Sequence, residues 1–323
     1  MEQIAVMTSG GDAPGMNAAI RAVVRCAIAK GAAITGVRQG FRGMLDAKFE
    51  PMTSRSVGGI IRMGGTILQT ARCEEFQTDE GRSMALANLR AAGIQGMVVI
   101  GGDGSLHGAL ELHNLGFPTV GVPASIDNDI GATELSIGVD TALNTILDAL
   151  DKIKDTASAH NRAFIIEVMG RRHGYLALVA GMAGGAELII LPNTPIRKDA
   201  ISRCVRESFD QGKPHCIIVI AEGATMDGKT GRDDVFQAVV EAGFEPRVTV
   251  LGHVQRGGSP TVTDRILGTR LGAAAVEALT AGESGVMVGI QHCCMTSVPL
   301  ESALAMQPVM SEDLVSLAEP LSR

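Results

Sequence analysis

Pro123-Ala-Ser-Ile-Asp-Asn-Asp-Ile130 follows the short apolar run Thr119-Val-Gly-Val122, and the reading of this junction decides the fold. A run this short, bounded by Pro and Gly, suits a buried strand. In extended chain just past it, Ser125, Asp127 and Asp129 alternate onto one side. That side is a carboxyl edge, where open parallel sheets bind ligands. Two carboxylates so spaced suit a division of labour: one accepts a proton from a substrate hydroxyl while the other holds or orients a divalent metal. The Ser125 hydroxyl beside them suits a moving phosphoryl group. An Asx-rich turn accounts equally well for Asp-Asn-Asp taken alone. A second junction of the same kind favours the chemical reading, because Met97-Val-Val-Ile-Gly-Gly-Asp-Gly-Ser105 also runs from an apolar strand into a polar, glycine-rich turn.

A third junction opens the chain. Ile4-Ala-Val-Met-Thr8 reads as a buried strand, Ser9-Gly-Gly-Asp-Ala-Pro-Gly-Met-Asn17 as a turn, and residues 18–29 as a helix. In this βα unit the N–H groups of Gly10 and Gly11 are expected to face outward beneath the helix N-terminus as an anion cradle. The turn lacks the Gly-Lys-Ser/Thr of a Walker A loop and the spacing of a dinucleotide fingerprint. Asp103, between glycines, is placed to reach a Mg²⁺ ion while neighbouring amides take phosphate oxygens.

Strands then alternate with amphipathic stretches. Strands are predicted over residues 34–37, 97–100 and 119–122, with helices over 56–63, 80–92 and 106–115. A longer helix over 138–156 leads to a second series, with strands over 164–169, 188–191 and 216–221 and helices over 175–182, 199–211 and 233–242. This alternation predicts α/β architecture with doubly wound, mostly parallel sheets. The strand over 248–251, the helix over 264–279 and the strand over 286–290 are expected to return to the first lobe. One lobe is thus assigned residues 1–138 plus 251–300, and the other 139–250 plus 301–323.

Composition excludes several classes of protein. Gly, at 40 of 323 residues, is about twice its usual share, which fits tight strand-to-helix turns and close backbone approach to ligands. A net charge of −7 without a basic strip argues against nucleic-acid binding. No apolar window reaches the length of a membrane span, and the N-terminus reads as no signal peptide. Cys26, Cys73, Cys204, Cys216, Cys293 and Cys294 form no Cys-x-x-Cys pair, so buried free thiols in a reduced, cytoplasmic protein are expected.

Five strings in order, Thr8-Ser-Gly-Gly-Asp-Ala-Pro-Gly-Met-Asn17, Gly101-Gly-Asp-Gly-Ser105, Ser125-Ile-Asp-Asn-Asp-Ile130, Met169-Gly-Arg171 and Leu251-Gly-His-Val-Gln-Arg-Gly-Gly-Ser259, resemble the motifs of the bacterial ATP-dependent 6-phosphofructokinase family. The resemblance implies two Rossmann-like lobes with the active site in the cleft between them. It implies phosphorylation of the C1 hydroxyl of fructose 6-phosphate by ATP with Mg²⁺, a step of glycolysis. Asp127 is then the base, Arg171 meets the charge of the transferring group, and Gly11 and Ser125 complete the cradle. Phosphoryl transfer, with its loose transition state, asks mainly for such positioning and charge neutralisation.

The same resemblance assigns Gly11, Arg72, Cys73, Gly102, Asp103, Gly104, Ser105 and Gly108 to ATP, and Asp103 and Asp129 to the metal. To the sugar phosphate it assigns Arg162, Arg247, His253 and Arg256, with Ser125, Asp127, Asp129, Met169, Gly170, Arg171 and Glu222 around the sugar. In the family Arg162 and Arg247 reach the site from an adjacent subunit, which implies a homo-oligomer, usually a tetramer. Relatives that use pyrophosphate tend to carry Asp at the position of Gly104 and Lys at that of Ala124, so the residues here favour ATP. A pyrophosphate-dependent enzyme stays the nearest alternative. An NAD or lipid kinase, or a non-catalytic nucleotide-binding regulator, is more remote.

Arg21, Arg25, Arg55, Lys154, Gly185, Glu187, Gln211, Lys213 and His215 fall at positions of the family's effector site for ADP and phosphoenolpyruvate. Lys154 stands where arginine is common and Gln211 where a basic residue is common, so anion affinity there is expected to be weakened.

Overall fold

The computed structural model describes residues 1–159, 162–192, 197–226, 229–308, 310 and 312–321. In chain order its elements are β1 (Gln3–Ser9), α1 (Met16–Ala29), β2 (Ala33–Val37), α2 (Gly40–Leu45), β3 (Phe49–Met52), α3 (Asp79–Ala91), β4 (Met97–Gly101), α4 (Asp103–Asn114) and β5 (Thr119–Pro123). There follow α5 (Val139–Ser158), β6 (Ala163–Val168), α6 (Tyr175–Ala183), β7 (Leu188–Ile190), α7 (Lys198–Asp210), β8 (Cys216–Ala221), the short β9 (Thr225–Met226) and β10 (Lys229–Thr230), α8 (Gly231–Glu241) and β11 (Pro246–Val250). Last come α9 (Val262–Thr280), β12 (Val286–Gln291), β13 (Cys294–Pro299), α10 (Leu300–Ala305) and α11 (Glu312–Leu321).

Two compact units result. Met1–Thr141 and Arg256–Pro308 make the first, and Ala142–Gln255 with the C-terminal helix makes the second. The first holds a seven-stranded sheet in the order β13-β12-β5-β4-β1-β2-β3. Its inner strands are parallel, and β3 and β13 pair antiparallel at the two edges. Pro51 of β3 sits where an unpaired N–H is no loss. Strands buried on both faces must be apolar throughout, as Met97-Val-Val-Ile100 is. Met7, Met97, Val99, Leu106 and Leu112 pack with Phe41 and Phe76 on one side of this sheet. On α9, Gly268 and Gly272 let α1 approach so closely that a Cβ on either would meet the backbone oxygen of Gly15 or Ala19 at 2.8 or 2.6 Å.

The second unit holds a four-stranded parallel sheet in the order β11-β6-β8-β7. Ile165, Ile218 and Ile220 form its core with Ile201 and Val205 of α7 and Val235 and Val239 of α8. The expected return of strand 248–251 to the first lobe is therefore corrected: β11 pairs with β6, Pro246 opposite Ala163. No local property of Val-Thr-Val-Leu says which sheet it joins.

Other expectations change for local reasons. Residues 56–63 form turns and a single 3-10 turn, Ile60–Arg62, in place of a helix, because Gly59 takes φ 76°. The short α2 and β3 fill a stretch left unassigned above. The thiols divide: Cys216 is buried, but Cys293 and Cys294 are exposed, contrary to the buried reading. Among the described residues no helix is long and apolar enough to cross a membrane.

Candidate active site

In the first sheet β1 leads to β2 on one side, while its other neighbour is β4, so the winding reverses between β1 and β4. Ligands bind at the carboxyl ends flanking such a reversal. The register places Ser9 opposite Gly101 and Gly101 opposite Pro123, so the turns after β1, β4 and β5 emerge side by side. All three sequence junctions thus meet at one edge.

The helix start that serves this edge is not the expected one. α1 begins at Met16, two residues before the predicted start, after Gly15 at φ 109°, and its entry is packed against Ile137 and Asp264. A side chain at 15 would collide with Ile137 and crowd Asp264. The open helix start belongs to α4, whose first turn holds Asp103, Gly104 and Ser105 behind the extended Gly102. A helix N-terminus concentrates unpaired N–H groups and positive potential, which suits phosphate. The Asp103 carboxylate lies 3.5 Å from His107 Nδ1 and stays half-exposed. A Cβ at Gly104 meets nothing within 4 Å, whereas one at Gly108 would lie 2.3 Å from the Phe41 ring, so Gly108 serves packing. Gly11 is backed by Arg256, whose Nη1 donates to the Asp12 carbonyl at 3.2 Å. A Cβ at residue 11 would come within 2.3 Å of that same nitrogen.

Residues 125–129 are not the straight extended segment predicted. The chain turns at Ile126 and Asp127, and Asn128 takes φ 49°. The turn folds Asp129 back so that Ser125 Oγ donates to Asp129 Oδ1 at 2.7 Å, while Asp127 N donates to Ser125 Oγ at 3.4 Å. Ser125, Asp127 and Asp129 thus gather by curling, not by alternation. The curl is clamped from the next loop: Ser136 Oγ donates to the Ser125 carbonyl at 2.6 Å, and Ser136 N to Asn128 Oδ1 at 3.0 Å. That loop is in turn held by Asp264, which has no exposed surface and accepts from Gly138 N, Thr141 N and Thr141 Oγ1 at 2.8, 2.8 and 2.6 Å. Burial pushes the Asp264 carboxyl above its ordinary range, with the hydrogen bonds from Thr141 and Gly138 opposing that push. Ser136, Asn128 and Asp264 carried no signal in the sequence beyond being polar, and their role comes from tertiary placement.

In the second unit the loops after β6 and β8 lie against each other. Gly223 N donates to the Gly170 carbonyl at 3.1 Å, and a Cβ at 223 would collide with the Arg171 carbonyl. Gly170 itself takes φ 128°. Arg171, 85% exposed, donates from Nε to Glu222 Oε1 at 3.2 Å. Buried Gln255 accepts from Met169 N at 3.2 Å and donates to the Gly252 carbonyl at 2.9 Å, tying the segment that carries exposed His253 to the end of β6. Arg162 and Arg247, distant in sequence, share one carboxylate: Glu245 Oε2 lies 3.2 Å from Arg162 Nη2, and its Oε1 lies 2.6 Å from Arg247 Nη2.

The effector candidates of this unit also gather. Lys154 Nζ donates to the carbonyls of Gly184 and Gly185, and Lys213 Nζ lies 3.4 Å from Glu187 Oε1. His215 Nδ1 lies 3.0 Å from Ser158 Oγ, and Gln211 caps α7. Arg21, Arg25 and Arg55 belong to the first unit, as do exposed Arg72 and half-buried Cys73, whose thiol is pushed upward by burial.

An α/β protein with glycine turns, an open helix start and acidic side chains on one carboxyl edge is built to handle phosphate. The family model described as Phosphofructokinase matches residues 3–279, and the chain belongs to the phosphofructokinase family. It is 50% identical over 323 residues to a protein of Thermotoga neapolitana named ATP-dependent 6-phosphofructokinase, with 100% of both chains covered. It is 51% identical over 323 residues to the ATP-dependent 6-phosphofructokinase 1 of Thermus thermophilus, again with 100% of both covered. Among solved structures, the phosphofructokinase of Saccharomyces cerevisiae superposes with a TM-score of 0.90 at 37% identity. That match covers 100% of this chain and 48% of the yeast chain, so this chain spans about half its length. A pyrophosphate-dependent phosphofructokinase of Marinobacter aquaeolei, at 22% identity and a TM-score of 0.83 over 99% of this chain and 91% of that one, shares the fold.

Proposed function

We propose that this protein transfers the γ-phosphoryl group of ATP to the C1 hydroxyl of fructose 6-phosphate, giving fructose 1,6-bisphosphate and ADP in glycolysis. The observation that carries the reading is the meeting of Gly11, the open start of α4 and the curled residues 125–129 at one sheet edge, in a chain whose near relatives are named for ATP. Asp127 takes the proton of the C1 hydroxyl as its oxygen attacks the γ-phosphorus. Arg171 offers a guanidinium to the oxygens of the transferring group, and Gly11 N–H and Ser125 add fixed dipoles. Arg162, Arg247, His253 and Arg256 hold the 6-phosphate, each charge-assisted bond contributing about 1.5–3 kcal/mol. Met169, Gly170 and Glu222 border the sugar. Arg72, Cys73, Gly102, Gly104 and Ser105 border the nucleotide.

Mg²⁺ fits as an ion that arrives with the nucleotide. Among the described residues no group of three or more acidic, His or Cys side chains could hold a metal alone. Mg²⁺ characteristically takes one or two carboxylates plus substrate phosphates. Asp103 at the start of α4 and Asp129 beside Ser125 would hold it, and when bound it neutralises charge on the β- and γ-phosphates. The donor assay tests the reading as a whole: purified protein with fructose 6-phosphate and Mg²⁺ is expected to turn over with ATP and at most a few per cent as fast with pyrophosphate. The reverse preference would overturn it.

Open space at Gly104 supports ATP as donor. Gly104→Asp is expected to leave folding intact and to lower kcat/KM for ATP by about 10²-fold, the several-kcal/mol scale of setting a carboxylate against phosphate. Steady-state kinetics with a thermal melt on the same sample checks both halves.

The enzyme works as a homotetramer with shared active sites in this reading, which is supported by the exposed edge strand β11, where Arg247, Val248 and Val250 face outward. ADP and phosphoenolpyruvate bind at Arg21, Arg25, Arg55, Lys154, Gly185, Glu187, Lys213 and His215. Because Gln211 carries no charge and Lys154 offers no planar fork, phosphoenolpyruvate is expected to inhibit only weakly. Strong sigmoidal inhibition at low effector and sub-saturating fructose 6-phosphate would refute this.

A further inference from the structure

Two thiols in the second unit have no part in the chemistry above. Cys204 lies on α7 three residues after Ile201 and four before Ser208, and so on the face that those buried residues turn to the sheet. Cys216 is the first residue of β8 and has no exposed surface. Cys204 Sγ donates to the Glu187 carbonyl at 3.3 Å. Glu187 is itself bound to the next residue of β8, since its N donates to the Ile217 carbonyl at 2.9 Å and its Oε2 accepts from Ile217 N at 2.7 Å. That lattice of bonds sets the Cys204 sulfur beside the start of β8, next to the residue that opens the strand, Cys216. The other cysteines, Cys26, Cys73, Cys293 and Cys294, belong to the first unit.

We propose that Cys204 and Cys216 form a peroxide-responsive dithiol, in which oxidation closes a disulfide between α7 and the start of β8. Cys204 is the attacking thiol, being half-buried and thus reachable while Cys216 is enclosed. Its thiol is held below the ordinary value by the neighbouring Cys216 thiol, which is itself pushed above that value by Cys204 and by burial. Lower thiolate pKa and access together select the first sulfur to react. In the first step Cys204 sulfur bonds to one peroxide oxygen, the O–O bond breaks, and the departing hydroxide leaves as water with the thiol proton. In the second, Cys216 sulfur attacks the sulfenic sulfur, the S–O bond breaks, and a second water leaves with the Cys216 proton. Two thiols are oxidised to one disulfide and one peroxide is reduced to two waters.

The closed loop contains Gln211, Lys213 and His215 and ends beside the Glu187 that pairs with Lys213. Oxidation therefore restrains one segment of the candidate effector residues while leaving the carboxyl edges of both sheets untouched.

Full-length protein is treated with hydrogen peroxide or with dithiothreitol, alkylated under denaturing conditions, digested and examined by mass spectrometry. The expected result is a peptide pair joined through Cys204 and Cys216 after peroxide, cleaved by dithiothreitol and absent from Cys204→Ser. In that variant Cys216 is expected to remain alkylatable after peroxide. Because residue 204 is only half-buried, this variant keeps the test open should Cys216→Ser fail to fold. The proposal is overturned if both thiols remain alkylatable in peroxide, if Cys204 stops at sulfinic or sulfonic acid, or if either sulfur is found joined to one of the other cysteines.

Discussion

Asp127→Asn is expected to lower kcat by about 10²–10⁴ while leaving the KM for fructose 6-phosphate and ATP within a few-fold. The reason is that a general base acts chiefly in the transition state, and the amide keeps the volume and most of the hydrogen bonding of the carboxylate. The local fold should tolerate the exchange, since the turn at residues 125–129 is held by the Ser125 hydroxyl, the left-handed Asn128 and Ser136, not by the Asp127 carboxylate alone. Steady-state kinetics at saturating ATP and Mg²⁺ checks it. Turnover near that of the unmodified enzyme would remove Asp127 from the role of base.

The second large effect lies away from any substrate. Asp264→Ala is expected to destabilise the first unit by about 3 kcal/mol or more, because three buried donors lose their acceptor at once and each such loss costs about 1–3 kcal/mol. The affected groups, Gly138 N, Thr141 N and Thr141 Oγ1, stand where the loop that clamps residues 125–129 passes into α5. Gly138 cannot compensate by shifting, since it takes φ 106° and a Cβ there would lie 2.7 Å from Ala13 Cβ. Turnover should therefore fall together with thermal stability, which separates this anchor from Asp127, whose replacement should spare the melt. A melting temperature within a degree of the original would show that the carboxylate is dispensable.

How much of this was legible in the sequence follows from the range of the forces involved. The buried strands were, because a strand covered on both faces must be a short apolar run, and Ile4-Ala-Val-Met, Met97-Val-Val-Ile and Cys216-Ile-Ile-Val are nothing else. Asp103 and Asp127 were legible as carboxylates at strand ends. Local backbone conformation was harder to weigh: Gly59 broke the helix predicted over 56–63, and the left-handed Gly15 set α1 going two residues early in a packed entry, which leaves the open helix start to α4. Long-range pairing was not legible at all. Nothing in Val-Thr-Val-Leu distinguishes the two sheets, and Gln255, Asp264 and Glu245 became anchors only when distant chain arrived beside them. The resemblance to a known family supplied Arg162 and Arg247 as partners, and the pairing of β6 with β11 gives the physical reason they are neighbours.

The first unit is assembled from two separate stretches of chain, residues 1–141 and 256–308, so its sheet closes after the sheet of the second unit although its first strand is made earlier. When a ribosome has delivered residue 250, every strand of the four-stranded sheet exists, whereas the seven-stranded sheet still awaits β12 and β13, and α1 still lacks the α9 surface it covers. Until residue 286 and its successors emerge, the flank of β5 offers unsatisfied backbone groups to any passing strand. The nascent polypeptide is thus most open to wrong partners late in translation, at the edge that β12 and then β13 will seal.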